Sequence, residues 1–161
     1  MLRNLPPILS PSLLYALRAM GHGDEIAIVD ANFPAESSGP DCVRLDGISA
    51  TDTLKAILSV MPLDTFVAAP ARTMQVVGDP DAVPEIVAEF QTIIDDTADK
   101  PARISTLERH AFYEAASHAF AVVQTGETRL YGNIILTKGI IKPRPADITC
   151  HPAPAFSFRR T

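Results

Sequence analysis

The sequence predicts a single α/β layered domain, and three observations carry that prediction. Short apolar runs such as Ile26-Ala27-Ile28-Val29 and Ile134-Ile135-Leu136 alternate along the chain with amphipathic stretches of about ten residues. The length, 161 residues, is close to that of one compact domain, typically about 100–150 residues. Hydrophobic residues make up 47% and charged residues 20%, a composition able to bury a core and unlike that of a disordered chain.

The elements follow in order. Ser10 is placed to cap a helix over about Pro11–Met20, with proline at the first helical position, where its missing N–H costs nothing. Leu13, Leu14, Leu17 and Met20 fall on one face, and Gly21 marks the stop. Ile26–Val29 reads as a buried strand closed by Asp30, and Cys42–Leu45 as a second strand after a turn-rich loop. Ser49 or Thr51 caps a helix carrying Leu54, Ile57, Leu58 and Met61, stopped by Pro62. Phe66–Ala69 and Thr73–Val77 are candidate strands. Ile86, Val87, Phe90, Ile93 and Ile94 give the clearest helical period, opening near Pro84. Ile104–Leu107 (strand), Glu108–Ser117 (helix), Phe120–Thr125 (strand) and Ile134–Thr137 (strand) complete the reading.

Residues 1–142 therefore form the expected domain, and 143–161 a proline-rich basic tail. Four of the 14 prolines lie within 143–154. The formal charge of −5 is uneven: residues 142–161 carry about +3, leaving an acidic body of about −8. A body of that sign without a basic stripe argues against nucleic acid as a partner. No apolar run approaches the ~20 residues of a membrane helix, and the first residues lack a secretory apolar region, so a cytoplasmic, non-membrane protein is expected. Cys42 and Cys150 stand far apart without metal-ligand spacing, in keeping with a reducing compartment. The four histidines form no recognisable metal motif, and neither a phosphate-cradling glycine loop nor a serine-nucleophile elbow occurs, so no metal and no cofactor are expected.

Four places gather polar chemistry. His22 lies between Gly21 and Gly23 just past a helix end, where the helix dipole favours a protonated imidazole and the glycines admit a ligand. A surface histidine in a helix-stop turn explains the same residue. Asp30 closes a strand, and in open α/β sheets ligands collect outside the carboxyl ends of strands; a turn aspartate is the plain alternative. Arg109 shares a helix face with Tyr113, and its planar fork of donors suits a sugar hydroxyl or a carboxylate, although it could equally pair with an Asp or Glu. Tyr131-Gly132-Asn133 offers a ring, a hydroxyl and an amide suited to a polyhydroxylated ligand, or else simply turns into the next strand.

At these residues the chain resembles the RbsD/FucU family, the D-ribose pyranase and L-fucose mutarotase proteins. The resemblance rests on Leu9-Ser10-Pro11, Gly21-His22-Gly23-Asp24-Glu25-Ile26, Asp30-Ala31-Asn32-Phe33-Pro34-Ala35, Ala111-Phe112-Tyr113-Glu114, Thr125-Gly126-Glu127 and Tyr131-Gly132-Asn133-Ile134-Ile135-Leu136. It covers about residues 1–142 and is closer to the fucose branch, to which the Tyr-Gly-Asn form also points. It implies an RbsD-like α/β fold and a cofactor-independent isomerase that exchanges the α and β anomers of a monosaccharide such as L-fucose. It also implies His22 as the proton donor, with Asp30, Arg109, Tyr131, Gly132 and Asn133 contacting substrate. Its members form rings, commonly decamers of two stacked pentamers, with sites at subunit contacts, so a homo-oligomer is expected.

The residues present suit that chemistry. Mutarotation opens a hemiacetal ring, which needs one group to protonate the ring oxygen and another to take the anomeric proton. Histidine titrates in the right range for the first role, with Asp30 orienting it or binding a hydroxyl. Asp30, Tyr131 or a water could fill the second. A pyranase acting on D-ribose and a non-catalytic sugar-binding module are the competing readings.

Overall fold

A strand covered on both faces must be apolar at successive positions, and three segments satisfy this. They are β1 (Glu25–Val29), β5 (Ala121–Thr125) and β6 (Ile134–Thr137). In the computed structural model, which describes residues 2–142, they occupy the middle of a six-stranded sheet of order β2-β5-β1-β6-β3-β4. The outer strands are β2 (Asp41–Leu45), β3 (Ala71–Met74) and β4 (Ser105–Leu107). β5 runs parallel to both β1 and β2, whereas β6 is antiparallel to β1 and β3, so the sheet is mixed.

Alternate residues along the strands face two separate cores. Ile26, Ile28, Val123, Ile134 and Leu136 meet helices α1 (Pro11–Ala19), α2 (Ala50–Leu58) and α3 (Glu85–Thr97) on one side. Ala27, Val29, Val122 and Ile135 meet Phe112 and Ala116 of α4 (Arg109–Ser117) on the other. Each large side chain fully buried this way, such as Phe90 or Ile57, contributes about 1.5–3 kcal/mol. The α/β layered domain is thus as expected, with three helices against one.

Local signals place the helices. Ser10 accepts a hydrogen bond from the Leu13 N–H at 3.2 Å and Ser49 one from Asp52 at 3.1 Å, each cap stabilising its helix by about 1 kcal/mol. At the far end of α1, Lys138 donates to the carbonyls of Leu17 and Met20 at 2.7 and 2.6 Å, neutralising the negative end of that helix.

Two expectations are corrected. Phe66–Ala69 forms no strand: the Asp64 carboxylate accepts the Phe66 N–H at 2.9 Å, turning the chain, and Phe66 and Val67 face solvent. The strand expected at Thr73–Val77 lies earlier, at Ala71–Met74, because Val76 and Asp79 bridge each other in a turn. The expected tail, 143–161, lies outside the described residues.

Strand direction decides what meets at each edge of the sheet. The carboxyl ends of β1, β3, β4 and β5 and the amino end of β6 share one edge, since Ile28 pairs with Ile134 and Thr73 with Ile134. The opposite edge gathers the turn before β1, the segment before β3 and the residues after β6. There the Gly23 N–H donates to the Lys138 carbonyl at 2.9 Å, and the Asp64 N–H to that of Thr137 at 3.0 Å.

Candidate active site

The carboxyl edge holds an open hollow of about 210 Å³ lined by Asp30, Phe33, Arg109, Tyr113, Tyr131 and Asn133, among others. It is smaller than the ~300–1,000 Å³ clefts that hold drug-sized ligands, and its size suits a small polar molecule. Asp30 and Asn133 are 103 residues apart in sequence but adjacent in space, one just after β1 and the other just before β6. The Asp30 N–H donates to Asn133 Oδ1 at 2.9 Å, and Asn133 Nδ2 donates to Asp30 Oδ2 at 2.8 Å. The other carboxylate oxygen of Asp30 accepts the Asn32 N–H at 2.9 Å. The carboxylate, 5% exposed, is therefore fixed in direction and still has lone pairs for a ligand hydroxyl.

Tyr131 enters from the turn between β5 and β6 with φ 63°, a left-handed conformation uncommon outside glycine and asparagine. Its hydroxyl oxygen accepts the Val77 N–H at 3.2 Å, which leaves the hydroxyl proton free to be donated. Arg109 begins α4, directly after β4. Its guanidinium lies over the Tyr113 ring, 5.8 Å from the centroid, and Tyr113 stacks on Phe33 at 5.2 Å. Arg109 has no carboxylate partner among the described residues, so the ion-pair alternative for it is not realised.

His22 is elsewhere. It precedes β1, whereas Asp30 follows it, and five strand residues span roughly 16 Å. On the opposite edge its Nε2 lies 3.2 Å from Asp64 Oδ1, and its ring meets Phe66 edge-on at 5.4 Å. The Asp64 carboxyl, only 3% exposed, is held below the ordinary aspartate range by the Phe66 N–H first and by His22 next, against the opposing effect of desolvation. Within one chain, then, the carboxylate beside His22 is Asp64 and not Asp30, and the chain carries two separate polar clusters.

A family model described as the RbsD / FucU transport protein family matches residues 3–141. The chain belongs to this family. It is 45% identical over 150 residues to the fucose mutarotase of Homo sapiens, covering 89% of this chain and 97% of that one. Among solved structures it is similar to the fucose mutarotase of Streptococcus pneumoniae in complex with L-fucose, at 41% identity and a TM-score of 0.82, covering 88% of this chain and all of that one. FucU of Bifidobacterium longum gives 43% identity and the same TM-score, covering 87% and 100%.

Of the residues singled out in the RbsD/FucU resemblance, the fold brings Asp30, Arg109, Tyr131 and Asn133 together and leaves His22 apart. Gly132 does not line the hollow. A Cβ there would come 2.7 Å from Glu127 Cγ and 3.0 Å from Ile86 Cδ1, so the turn has no room for a side chain at this position. Sequence reasoning missed Asp64 and Phe66 beside His22, and Phe33 as the floor under Tyr113. Asp64 follows the stop signal Pro62, and nothing in its own neighbourhood marks the contact with a histidine 42 residues earlier. No helix among the described residues is long and apolar enough to cross a membrane.

Proposed function

We propose that this protein is a fucose mutarotase, an isomerase that exchanges the α and β anomers of L-fucose by acid–base ring opening. One observation carries the reading. A carboxylate, an amide, a phenol and a guanidinium converge on a hollow sized for a small polar molecule, in a chain 41–45% identical along most of its length to proteins named fucose mutarotase.

The reaction requires few groups. The anomeric O–H gives its proton to the Asp30 carboxylate or to a water as the C1 carbonyl forms, the bond from C1 to the ring oxygen breaks, and that oxygen is protonated. Rotation about the bond to C1 followed by reclosure gives the other anomer, with the proton transfers reversed. Asp30 accepts from a sugar hydroxyl, Arg109 and Asn133 fix its neighbours, and the Tyr131 hydroxyl donates. His22 supplies the ring-oxygen proton, and Asp64 stabilises the charged imidazolium before transfer. Proton transfer by such a placed group is worth ~10²–10⁴-fold.

One chain cannot bring His22 to its own Asp30, so the site is proposed to be shared. The His22 edge of one copy faces the Asp30 hollow of the next, in a cytoplasmic homo-oligomer that the family resemblance makes a decamer. Phe66, 66% exposed beside His22, suits burial in such a contact.

Exchange NMR on equilibrated L-fucose tests the activity. Faster α/β exchange with protein supports it, whereas binding without faster exchange, or exchange confined to D-ribose, overturns it. Co-refolding His22→Ala with Asp30→Asn chains tests the shared site. Each variant alone is inactive, and mixing restores a fraction of the rate. No recovery in mixed oligomers, or a 17.3 kDa monomer by ultracentrifugation, overturns sharing.

A further inference from the structure

Tyr131 reaches the hollow in a backbone conformation that its residue type disfavours, so something beyond local preference must hold it there. Beneath the turn lies Glu127, a carboxylate only 5% exposed that does not line the hollow. Its Oε1 accepts the Arg129 backbone N–H at 3.1 Å and Nε at 2.9 Å, and its Oε2 accepts Nη2 at 3.0 Å. Arg129 then reaches Glu89 of α3 through Nη1 at 2.8 Å, anchoring the turn to a helix. The Glu127 carbonyl accepts the N–H of Ala31, the residue after Asp30, at 2.9 Å.

These bonds tie together the parts that form the hollow. The carboxyl of Glu127 is held below the ordinary glutamate range, by the Arg129 side chain above all. Gly132 lets the turn close onto it, since any side chain there would strike Glu127 Cγ. A carboxylate bonded three times by its own turn, and outside the lining of the hollow, is not placed to bind a sugar. Its effect must therefore be exerted through the residues around it.

We propose that Glu127 is a positioning residue, its carboxylate fixing Tyr131 over the hollow. The kinetic part rests on the mutarotase reading above. A simple ion pair that only stabilises the fold would change stability without coupling to Tyr131, and this separates the two roles.

The test is a double-mutant cycle of Glu127→Gln and Tyr131→Phe, read by L-fucose exchange NMR, with hydrogen-exchange mass spectrometry of the peptides covering 126–133. Glu127→Gln is expected to lower exchange roughly tenfold or more in the wild-type background, as misplacing a reacting group by about an ångström does. It should add little once the Tyr131 hydroxyl is gone, and amides of the turn should exchange faster. Independent effects in the cycle, or unchanged protection of the turn, overturn the proposal. Should Glu127→Gln not fold, Arg129→Ala, at a side chain 38% exposed, takes its place in the cycle. If the wild-type protein neither exchanges anomers nor binds L-fucose, the mutarotase reading fails on its own, and turn protection in the variant still decides whether Glu127 holds Tyr131.

Discussion

The two edges of the sheet present their polar groups under opposite constraints. At the carboxyl edge, Asp30 and Asn133 are buried and locked by mutual hydrogen bonds across 103 residues of sequence. At the amino edge, His22 is 45% exposed on a glycine turn, held by one carboxylate and one aromatic edge. The difference separates two tasks. Binding a sugar in one orientation needs groups that do not move, whereas transferring a proton needs a group that can change charge, which burial would oppose. The locked Asp30–Asn133 pair should therefore answer mutation with stability and affinity, and His22 with rate.

The comparison breaks most sharply at His22. Its replacement by alanine leaves no core cavity and takes one of the partners of Asp64, so folding stability from urea unfolding should fall by only about 1 kcal/mol, while exchange at saturating fucose falls ~10²–10⁴-fold. Full exchange in that variant would move the proton donor to the other edge. Next in size, Asn133→Ala strips partners from both the buried carboxylate and the backbone N–H of Asp30, and should cost about 2–4 kcal/mol of folding stability. A neutral result would mean that the lock is not what holds Asp30. Arg109→Ala should weaken fucose affinity about tenfold by calorimetry and leave stability and kcat nearly unchanged, because the side chain is exposed and has no carboxylate partner among the described residues.

The smallest effect is on pH. The carboxyls of Asp64 and Glu127 both sit below their ordinary values of 3.8 and 4.5 in the folded chain. Each therefore adds stability that is complete above those values and is lost as the pH falls through the lower folded-state ones. Urea midpoints should hold down to about pH 5 and then decline, and Glu127→Gln should flatten part of the decline. A slope unchanged in that variant would show that the carboxylate under the Tyr131 turn adds nothing to acid stability.

What could be read from the sequence follows from how local each signal is. The cap at Ser10, the proline beside it, the buried run of β1 and the period of α3 are set by neighbours a few residues away, and all appear where expected. Phe66–Ala69 misled because its apolar composition suggests a strand, while a single side-chain bond from Asp64 turns it outward. Asp30, Arg109, Tyr131 and Asn133 are visible one by one and are grouped only by the family resemblance, while Asp64 and Phe66 carry no signal beside His22. Asp30 and Asn133 meet only because β6 runs antiparallel to β1, and His22 and Asp64 only because the segment before β3 lies along the end of β6. Strand direction is a property of the whole sheet and has no local signature.

The distance between His22 and Asp30 along β1 has a further consequence for counting. A chain with one half-site at each end is a link with a head and a tail. An open row of such links always leaves one head and one tail unmatched, however long it grows. Only a closed row gives every chain a partner on both sides. With the site shared as proposed, turnover per chain would rise with assembly size in open rows and become independent of it on closure. A dilution series of specific activity would then trace the geometry of the assembly.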